Sequence, residues 1–295
     1  MASVNNLGAF DAAIFSKLLV TRLDQINIML PHVNMDYTGD LAQGQGSTVY
    51  VRTLGDVSMS DYNRGDTISY QGLAPAREAF QVNAVKAFAF NVDDVDAAQN
   101  DINALNAYAE RASVALNNTV EAKILSAYSR AHADNQITGA ASAAIVLDKT
   151  NVYSNFVQAA KRLDDKNVPS VGRFAIIDTA TKALIATSTD LIRSTSLGDT
   201  IVQTGTLGGG VRAPQYVGNI AGFETYWSAA CPQDSGAKYL VFGDNKAICY
   251  AAQLVEVERI RLEVTFATAL RGLLLHDIFV SAEASKRLAT VKIAK

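Results

Sequence analysis

The spacing of apolar residues changes period twice along the chain. From about Thr48 to Val92 the period is two. Val49, Val51 and Thr53 alternate with Tyr50, Arg52 and Leu54, and Phe80, Val82, Ala84, Phe88, Phe90 and Val92 follow in one phase. Between these runs lies a polar tip, Ser58–Asp66, with turn formers Asn63 and Gly65. The pattern predicts a long β-hairpin. Its outer half has few large apolar side chains, and two strands alone are marginal in water, so a projecting hairpin needs something else to hold it. From Asp93 to about Ala133 the period becomes three to four: Val95, Ala98, Ile102, Leu105, Ala109, Ala112, Leu116, Val120, Ile124, Ala127 and Ala131. No glycine interrupts this stretch and no proline lies between Pro75 and Pro169. Asp93, Asp94 and Asp96 stand where carboxylates suit a helix N-terminus. The expectation is one helix of about 40 residues, roughly 60 Å long. A compact chain of this size is a sphere about 50 Å across. The helix is then kinked, or the subunit is elongated or flat. Its apolar stripe is mostly alanine, which favours close packing on a sheet or another helix.

The flanking segments are shorter. Residues 1–30 form a weakly amphipathic arm (Phe10, Ile14, Leu18; Leu19, Leu23, Ile26), followed by Pro31 and a polar loop, Thr38–Ser47. Beyond the helix, a small-residue loop at Gly139–Ala144 precedes helical spacing at Asn151–Asp164. Strand patterns follow at Arg173–Ile177, Val217–Ser228 (with a turn), Tyr239–Phe242, Ala247–Ala251, Leu254–Phe266, Gly272–Val280 and Leu288–Ile293. Helices are expected at Ala180–Ile192 and Glu283–Arg287, and a glycine-rich loop at Gly205–Pro214. The fold class is α+β with one dominant helix.

Composition sharpens this picture. The chain has 295 residues, 49% of them apolar and 19% charged, against roughly 25% charged in ordinary soluble proteins. The apolar share excludes wholesale disorder. The shortage of charge means either a large core or a surface that partners cover, and the helix arithmetic favours the second. A net charge of −3 argues against tight binding to nucleic-acid phosphates. No run of 18 apolar residues exists to span a membrane, and residues 1–19 lack a secretion-signal pattern. Cys231 and Cys249 form no CxxC pair, which argues against a disulfide scaffold or thiolate zinc site and for a reducing cytosol.

Motifs of catalysis do not assemble. Gly205 and Gly208–Gly210 lack the Lys-Ser/Thr of a P-loop and the following helix of a dinucleotide turn, and a mobile loop is the better account. Asp93, Asp94, Asp96 and Asp101 lack the glycine and closing glutamate of a calcium loop, so helix capping explains them better. His32, His132 and His276 are far apart and in no zinc pattern. No Gly-x-Ser-x-Gly turn is present. Asn117-Asn118-Thr119 matches a glycosylation sequon by chance, inside the helix of a non-secreted chain. Glu256, Glu258, Arg259, Arg261 and Glu263 form either a solvated charged face or an intersubunit charge match. No cofactor, metal or catalytic residue is expected.

Taken in order, an arm, a polar hairpin, a long helix opening on aspartates and an α+β segment resemble the phage major capsid protein with the HK97-type fold. Phe88-Ala-Phe-Asn-Val-Asp-Asp-Val-Asp96, followed by Ala-Ala-Gln-Asn100, is similar to the spine-helix opening of coat proteins in the P22-like branch. Val217-Gly-Asn-Ile-Ala-Gly-Phe-Glu-Thr-Tyr-Trp-Ser228 resembles their strand–turn "G-x-I-A-G-F-x-V-Y-x-S". Arg271-Gly-Leu-Leu-Leu-His276, running on to Ile293, resembles their closing segment. His276-Asp277 replaces the usual Tyr-Gly, and Ser281-Ala282-Glu283-Ala284 the usual Pro-Glu-Ala. The resemblance spans about residues 10–293.

It implies an N-terminal arm at 1–45, an E-loop hairpin at 46–83 lying across a neighbouring subunit, a peripheral domain with the spine helix at 84–150, an axial domain at 151–250 and completing C-terminal strands at 251–295. It implies self-association into the hexamers and pentamers of an icosahedral virion capsid around double-stranded DNA, assembled in the bacterial host cytoplasm. A portal and a decoration or cement protein come with that reading, with only weak, non-specific proximity to the DNA. Met1 stands almost directly at the arm, so the expectation is a separate scaffolding protein. Some relatives crosslink an E-loop lysine to a neighbour's asparagine. Here no lysine lies between Lys17 and Lys86, so no covalent chainmail is expected. The expected intersubunit contacts are Arg52, Asp56, Asp61, Tyr62, Arg64, Asp66, Tyr70 and Arg77. Competing readings are an encapsulin-like compartment shell and a cytosolic α+β enzyme.

Overall fold

The computed structural model describes residues 27–37, 48–53, 59, 61–62, 64–65, 67, 70, 72, 76–93, 104–188, 215–261 and 267–295. The expectations for residues 1–26, for the loop at 38–47, for Asp56 and Asp66, for Asp94, Asp96 and Asp101, for the loop at 205–214 and for Glu263 lie outside the described residues.

The chain forms strands β1 (Thr48–Thr53), β2 (Ala76–Gln81) and β3 (Ala84–Asp93), then helix α1 (Ala104–Leu125). Strand β4 (Gln136–Ile137), helix α2 (Val152–Asp164), strand β5 (Arg173–Ile177) and helix α3 (Thr179–Ala186) follow. Strands β6 (Tyr216–Ile220), β7 (Phe223–Trp227), β8 (Gln233–Asp234), β9 (Ala237–Asp244), β10 (Cys249–Arg261) and β11 (Ala267–Phe279) come next. Helix α4 (Ala282–Ser285) and strand β12 (Leu288–Ala294) close the chain. The architecture is α+β, as the alternating periods predict.

A seven-stranded sheet runs in the order β4-β12-β9-β5-β7-β6, with β8 added to β9. Its central strand, Arg-Phe-Ala-Ile-Ile, is buried along its whole length, which explains the unbroken apolar run. Side chains alternate between two cores. Ala175, Ile177, Leu240, Phe242, Val291 and Ile293 face α2, whose Val152, Phe156, Ala159 and Leu163 recur at helical spacing. Phe156 meets Phe242 edge-on, with centroids 5.1 Å apart. Phe174, Ile176 and Val241 face the other way, toward α1 through Leu116, Val120, Ile124 and Leu125. Buried Arg173 holds the α2–β5 connection. Its guanidinium donates to Asp164 Oδ1 at 2.7 Å and to the Pro169 carbonyl at 2.8 Å. Asp178 caps α3 by accepting from Thr181 N–H at 2.8 Å, and Lys238 Nζ lies 2.9 Å from its other oxygen.

Two expectations need correction. Within the described residues, the helix expected from Asp93 to Ala133 is α1, which ends at Leu125 and not at Ala133 and is continued by a 3-10 turn at Ser126–Arg130; residues 94–103 lie outside the described residues. Asp93 does not begin it. It ends β3, where it stands opposite Ala267. Phe88, Phe90 and Val92 keep period two because they pair with β11. For the same reason the hairpin does not run through Val92. It comprises β1 and β2 alone, with Thr48 opposite Gln81 and Thr53 opposite Ala76. The chain then leaves the hairpin at buried Val82, and β3 joins a three-stranded antiparallel sheet in the order β10-β11-β3. Helix α3 also ends at Ala186, short of the expected Ile192.

The expected turn between β6 and β7 is present. Ala221 and Gly222 take φ of 51° and 85°, the left-handed pair that a two-residue hairpin with native twist requires. A closer constraint sits at Gly272, directly opposite Phe88 on β3. A Cβ there lies 2.3 Å from the Phe88 ring. The aromatic ring fills the space that the glycine leaves, so the Arg-Gly-Leu motif records a packing requirement.

Helix α1 also buries a polar seam. Ser113, Asn117 and Glu121 recur every four residues and are all buried. Asn27 Nδ2 donates to Asn117 Oδ1 at 2.6 Å, while Asn27 Oδ1 accepts from the Met29 and Leu30 N–H groups. The residue-27 segment is thereby fixed to the helix. Glu121 reaches toward Ser228, but its Oε1 has no hydrogen-bond partner. Burial pushes its carboxyl above the ordinary 4.5, opposed by the Ser228 hydroxyl.

Two outcomes follow for the unassembled subunit. Gly272→Ala lowers thermal stability by about 1–3 kcal/mol through overpacking, and adding Phe88→Ala recovers part of that loss; calorimetric unfolding of both variants checks it. Glu121 favours the fold most when protonated, so its contribution is full below its unfolded pKa and fades as pH rises through the higher folded value. Glu121→Gln therefore gains in Tm over the natural chain as pH is raised from 4 to 7. A gap that is constant with pH contradicts that assignment.

Candidate functional site

The hairpin is built from two different halves. At its root, Val49 and Val51 of β1 are buried while Tyr50 between them is exposed, the alternation expected of a strand with one covered face. Val51, Phe80 and Val82 form a small core with Ala251 of β10 and Leu275 of β11, both in the three-stranded sheet. Phe80 stacks on Phe279 with centroids 5.5 Å apart. Polar contacts add to this: Asn83 N–H donates to Asp277 Oδ2 at 3.2 Å, and Ala282 N–H to the Glu78 carboxylate at 3.3 Å. The root is therefore held by its own chain, whereas the sequence pattern assigned the whole support of the hairpin to something else.

The outer half differs. Met59 is 96% exposed, Tyr70 97% and Tyr62 62%. Asp61 and Arg64 are also exposed, and Arg64–Gly65 form a turn in which Gly65 takes φ 101°. Large apolar side chains exposed singly are normal; here three fall within twelve residues of sequence. Of the eight expected contact residues, Asp61, Tyr62, Arg64 and Tyr70 lie in this exposed half. Arg52 and Arg77 stand directly opposite one another in the β1–β2 ladder, nearer the root. Asp56 and Asp66 lie outside the described residues.

The charged strand pattern at 254–266 resolves in part. Glu258 stands opposite Arg271 on β11 and accepts from its Nε at 2.7 Å, so this pair is an intrachain cross-strand contact. Burial pushes the Cys231 thiol up to about 12 and the Cys249 thiol to about 11, and both cysteines are free. Neither is a thiolate nucleophile at neutral pH. Among the described residues, no three His, Cys, Asp or Glu side chains gather in a way that holds a metal ion. No described helix is long and apolar enough to cross a membrane.

Sequence reasoning missed the root core and the pair of buried titratable groups, Glu121 and His276. The root was hidden because Phe80 and Val82 sit in phase with β3, although Phe80 belongs to the β1–β2 sheet and packs against the sheet that contains β3. His276 did leave a signal, as a departure from the usual Tyr-Gly.

The fold and family can now be placed among known proteins. The profile of the phage capsid protein family matches residues 77–280, from the second hairpin strand through the end of β11. Among solved structures, one from Mycobacterium phage Che8 superposes with a TM-score of 0.67 at 19% identity, covering 90% of each chain. The capsid of Ralstonia phage GP4 gives 0.63 at 10% identity over 92% of each chain. The holo-SrpI encapsulin complex of Synechococcus elongatus gives 0.55 at 8% identity, covering 86% of this chain and 85% of that one. At such identities these likenesses describe the fold alone, which is the HK97-type capsid fold. No curated protein matches the chain by sequence. With the family profile spanning most of the chain, from hairpin to closing strand, this chain belongs to the phage capsid protein family and is a structural shell protein that assembles with copies of itself.

Proposed function

We propose that this chain is the tile of an icosahedral phage shell enclosing double-stranded DNA, and that its hairpin is the element that joins tiles. The observation that carries the second part is the contrast within the hairpin. Its root is packed on its own subunit, while Met59, Tyr62 and Tyr70 on the outer half are exposed. A neighbouring copy that covers these side chains removes apolar area from water at each contact. The charges around them, Arg52, Asp56, Asp61, Arg64, Asp66 and Arg77, are of mixed sign and set register more than strength, because exposed ion pairs contribute only about 0–1 kcal/mol each. Shell cohesion then rests on many repeated weak contacts.

In this reading residues 1–45 are the arm, 46–83 the E-loop, 84–150 the peripheral domain carrying α1, 151–250 the axial domain and 251–295 the completing strands. The division of the core between α1 and α2 supports it, because the two helices cover opposite faces of the large sheet. The chain performs no catalysis. Assembly takes place in the host cytoplasm with a separate scaffolding protein, and the finished virion adds a portal and a decoration protein. The P22-like branch of the family is part of the same proposal. A compartment shell of the encapsulin kind shares the fold, and a bound cargo peptide is the finding that distinguishes it.

Arg64→Glu reverses one exposed charge in the outer half and leaves the root core intact. It is expected to lower the yield of assembled particles severalfold while the circular dichroism and Tm of the unassembled subunit stay unchanged. Natural particle yield from the variant contradicts the role of the hairpin. With no lysine between Lys17 and Lys86, particles boiled in denaturant are expected to run as a single monomer band, and a ladder of crosslinked species contradicts this.

A further inference from the structure

Three nitrogen-bearing side chains from three different elements face one open groove beside α1. Lys86 comes from β3, Lys123 from α1 and His276 from β11, and the rest of the lining is Ala84, Asn118, Thr119, Ala122 and Ser126. The groove holds about 600 Å³, room for a small oxyanion with its water. Among the described residues the lining includes no carboxylate. The nearest, Asp277, is already engaged, with Oδ1 at 2.9 Å from Lys123 Nζ and Oδ2 accepting from Asn83 N–H. A lysine ammonium has three donors, so that ion pair leaves Lys123 able to serve a second acceptor.

The floor of the groove is unusual. His276 is 1% exposed, and neither ring nitrogen has a hydrogen-bond partner. Its partners in the sheet are Ala252 and Ala84, which offer no side-chain acceptor, and the Tyr250 ring stands edge-on with centroids 6.3 Å apart. Burial holds the imidazole below its ordinary 6.5; Lys123 and Lys86 push it further down, and Asp277 alone opposes them. A buried polar ring left unpaired is costly. Here it lines the same groove as two lysines, one of them ion-paired with Asp277.

We propose that this groove is a phosphate-binding site, in which a phosphate group spans Lys86 and Lys123 above His276, and that its occupation is coupled to protonation of His276. The coupling needs no contact with the ring. A phosphate neutralises the two charges that oppose protonation, so the ring gains a proton when the anion arrives, and by linkage the anion binds more tightly when the ring is protonated. Phosphate suits the site better than a carboxylate, because donors converge from separate elements and phosphate offers more acceptor oxygens to meet them. Free phosphate and a nucleic-acid backbone present the same chemistry to this site. The site is separate from the hairpin, whose root core uses Leu275 on the opposite face of β11, so the inference stands or falls independently of the tile-joining role.

The test is calorimetric titration of the unassembled full chain at low salt with inorganic phosphate, and in parallel with a short DNA duplex, at pH 6 and pH 7.5. Each titration is run in two buffers of different ionisation enthalpy to count protons taken up. Saturable phosphate binding is expected, tighter at pH 6, with net proton uptake that disappears in His276→Gln. Lys86→Gln, an exposed change that leaves the fold intact, weakens phosphate about fivefold. Duplex binding that falls by the same factor in Lys86→Gln identifies the backbone as a source, while phosphate binding without it identifies the free anion. The proposal is overturned by the absence of saturable phosphate binding, by binding indifferent to Lys86→Gln, or by binding without proton uptake in the natural chain.

Discussion

Strand β11 is the constraint on which the rest of the structure depends. Side chains of a strand point alternately to opposite faces, and here both faces are occupied. Gly272, Leu274, His276 and Ile278 look toward the core shared with α1, where Gly272 accepts the Phe88 ring. Leu275 and Phe279 look toward the hairpin root, where Phe80 and Val82 pack. One strand therefore fixes the position of the helix on one side and the direction of the hairpin on the other. A slip of a single residue would exchange the two faces and put Gly272's neighbour against Phe88. The long pairing with β10 and β3 makes such a slip costly.

The same logic explains the low charge of the chain. Two cores on either side of the seven-stranded sheet, plus a third at the hairpin root, use much of the apolar residue share. They do not use all of it. Tyr50, Met59, Tyr62 and Tyr70 remain outside every core, as do Val146, Val157 and Val171 on the other part of the chain. In the proposed function, the hairpin members of this set are the apolar surface that a neighbouring copy covers.

Much of the fold was legible in the sequence, for physical reasons that differ by segment. Strand β5 was evident because a run buried on both faces admits no polar interruption. Helix α2 was evident because Val152, Phe156, Ala159 and Leu163 hold one stripe. The turn at Ala221–Gly222 followed from its glycine. Asp93 was assigned to the helix because aspartates that suit a helix N-terminus also stand at a strand's end, and nothing local to Asp93 distinguishes the two; pairing with Ala267, far away in the chain, decides it. The hairpin was drawn too long for the same reason, since period two persists across Val82 although the strands on either side belong to different sheets. The exposed half of the candidate site was legible as polar and aromatic. The buried titratable groups were not, because burial of Glu121 and His276 is a property of the packed whole.

The central claim is that a subunit with a self-anchored hairpin root and an exposed outer half closes into a shell with its own copies. Electron microscopy of the purified natural chain, under conditions that permit assembly, tests this most directly. The account predicts closed icosahedral particles of megadalton mass, with density of one subunit's hairpin lying over its neighbour. A small discrete oligomer, with the hairpin free in solvent, would contradict it.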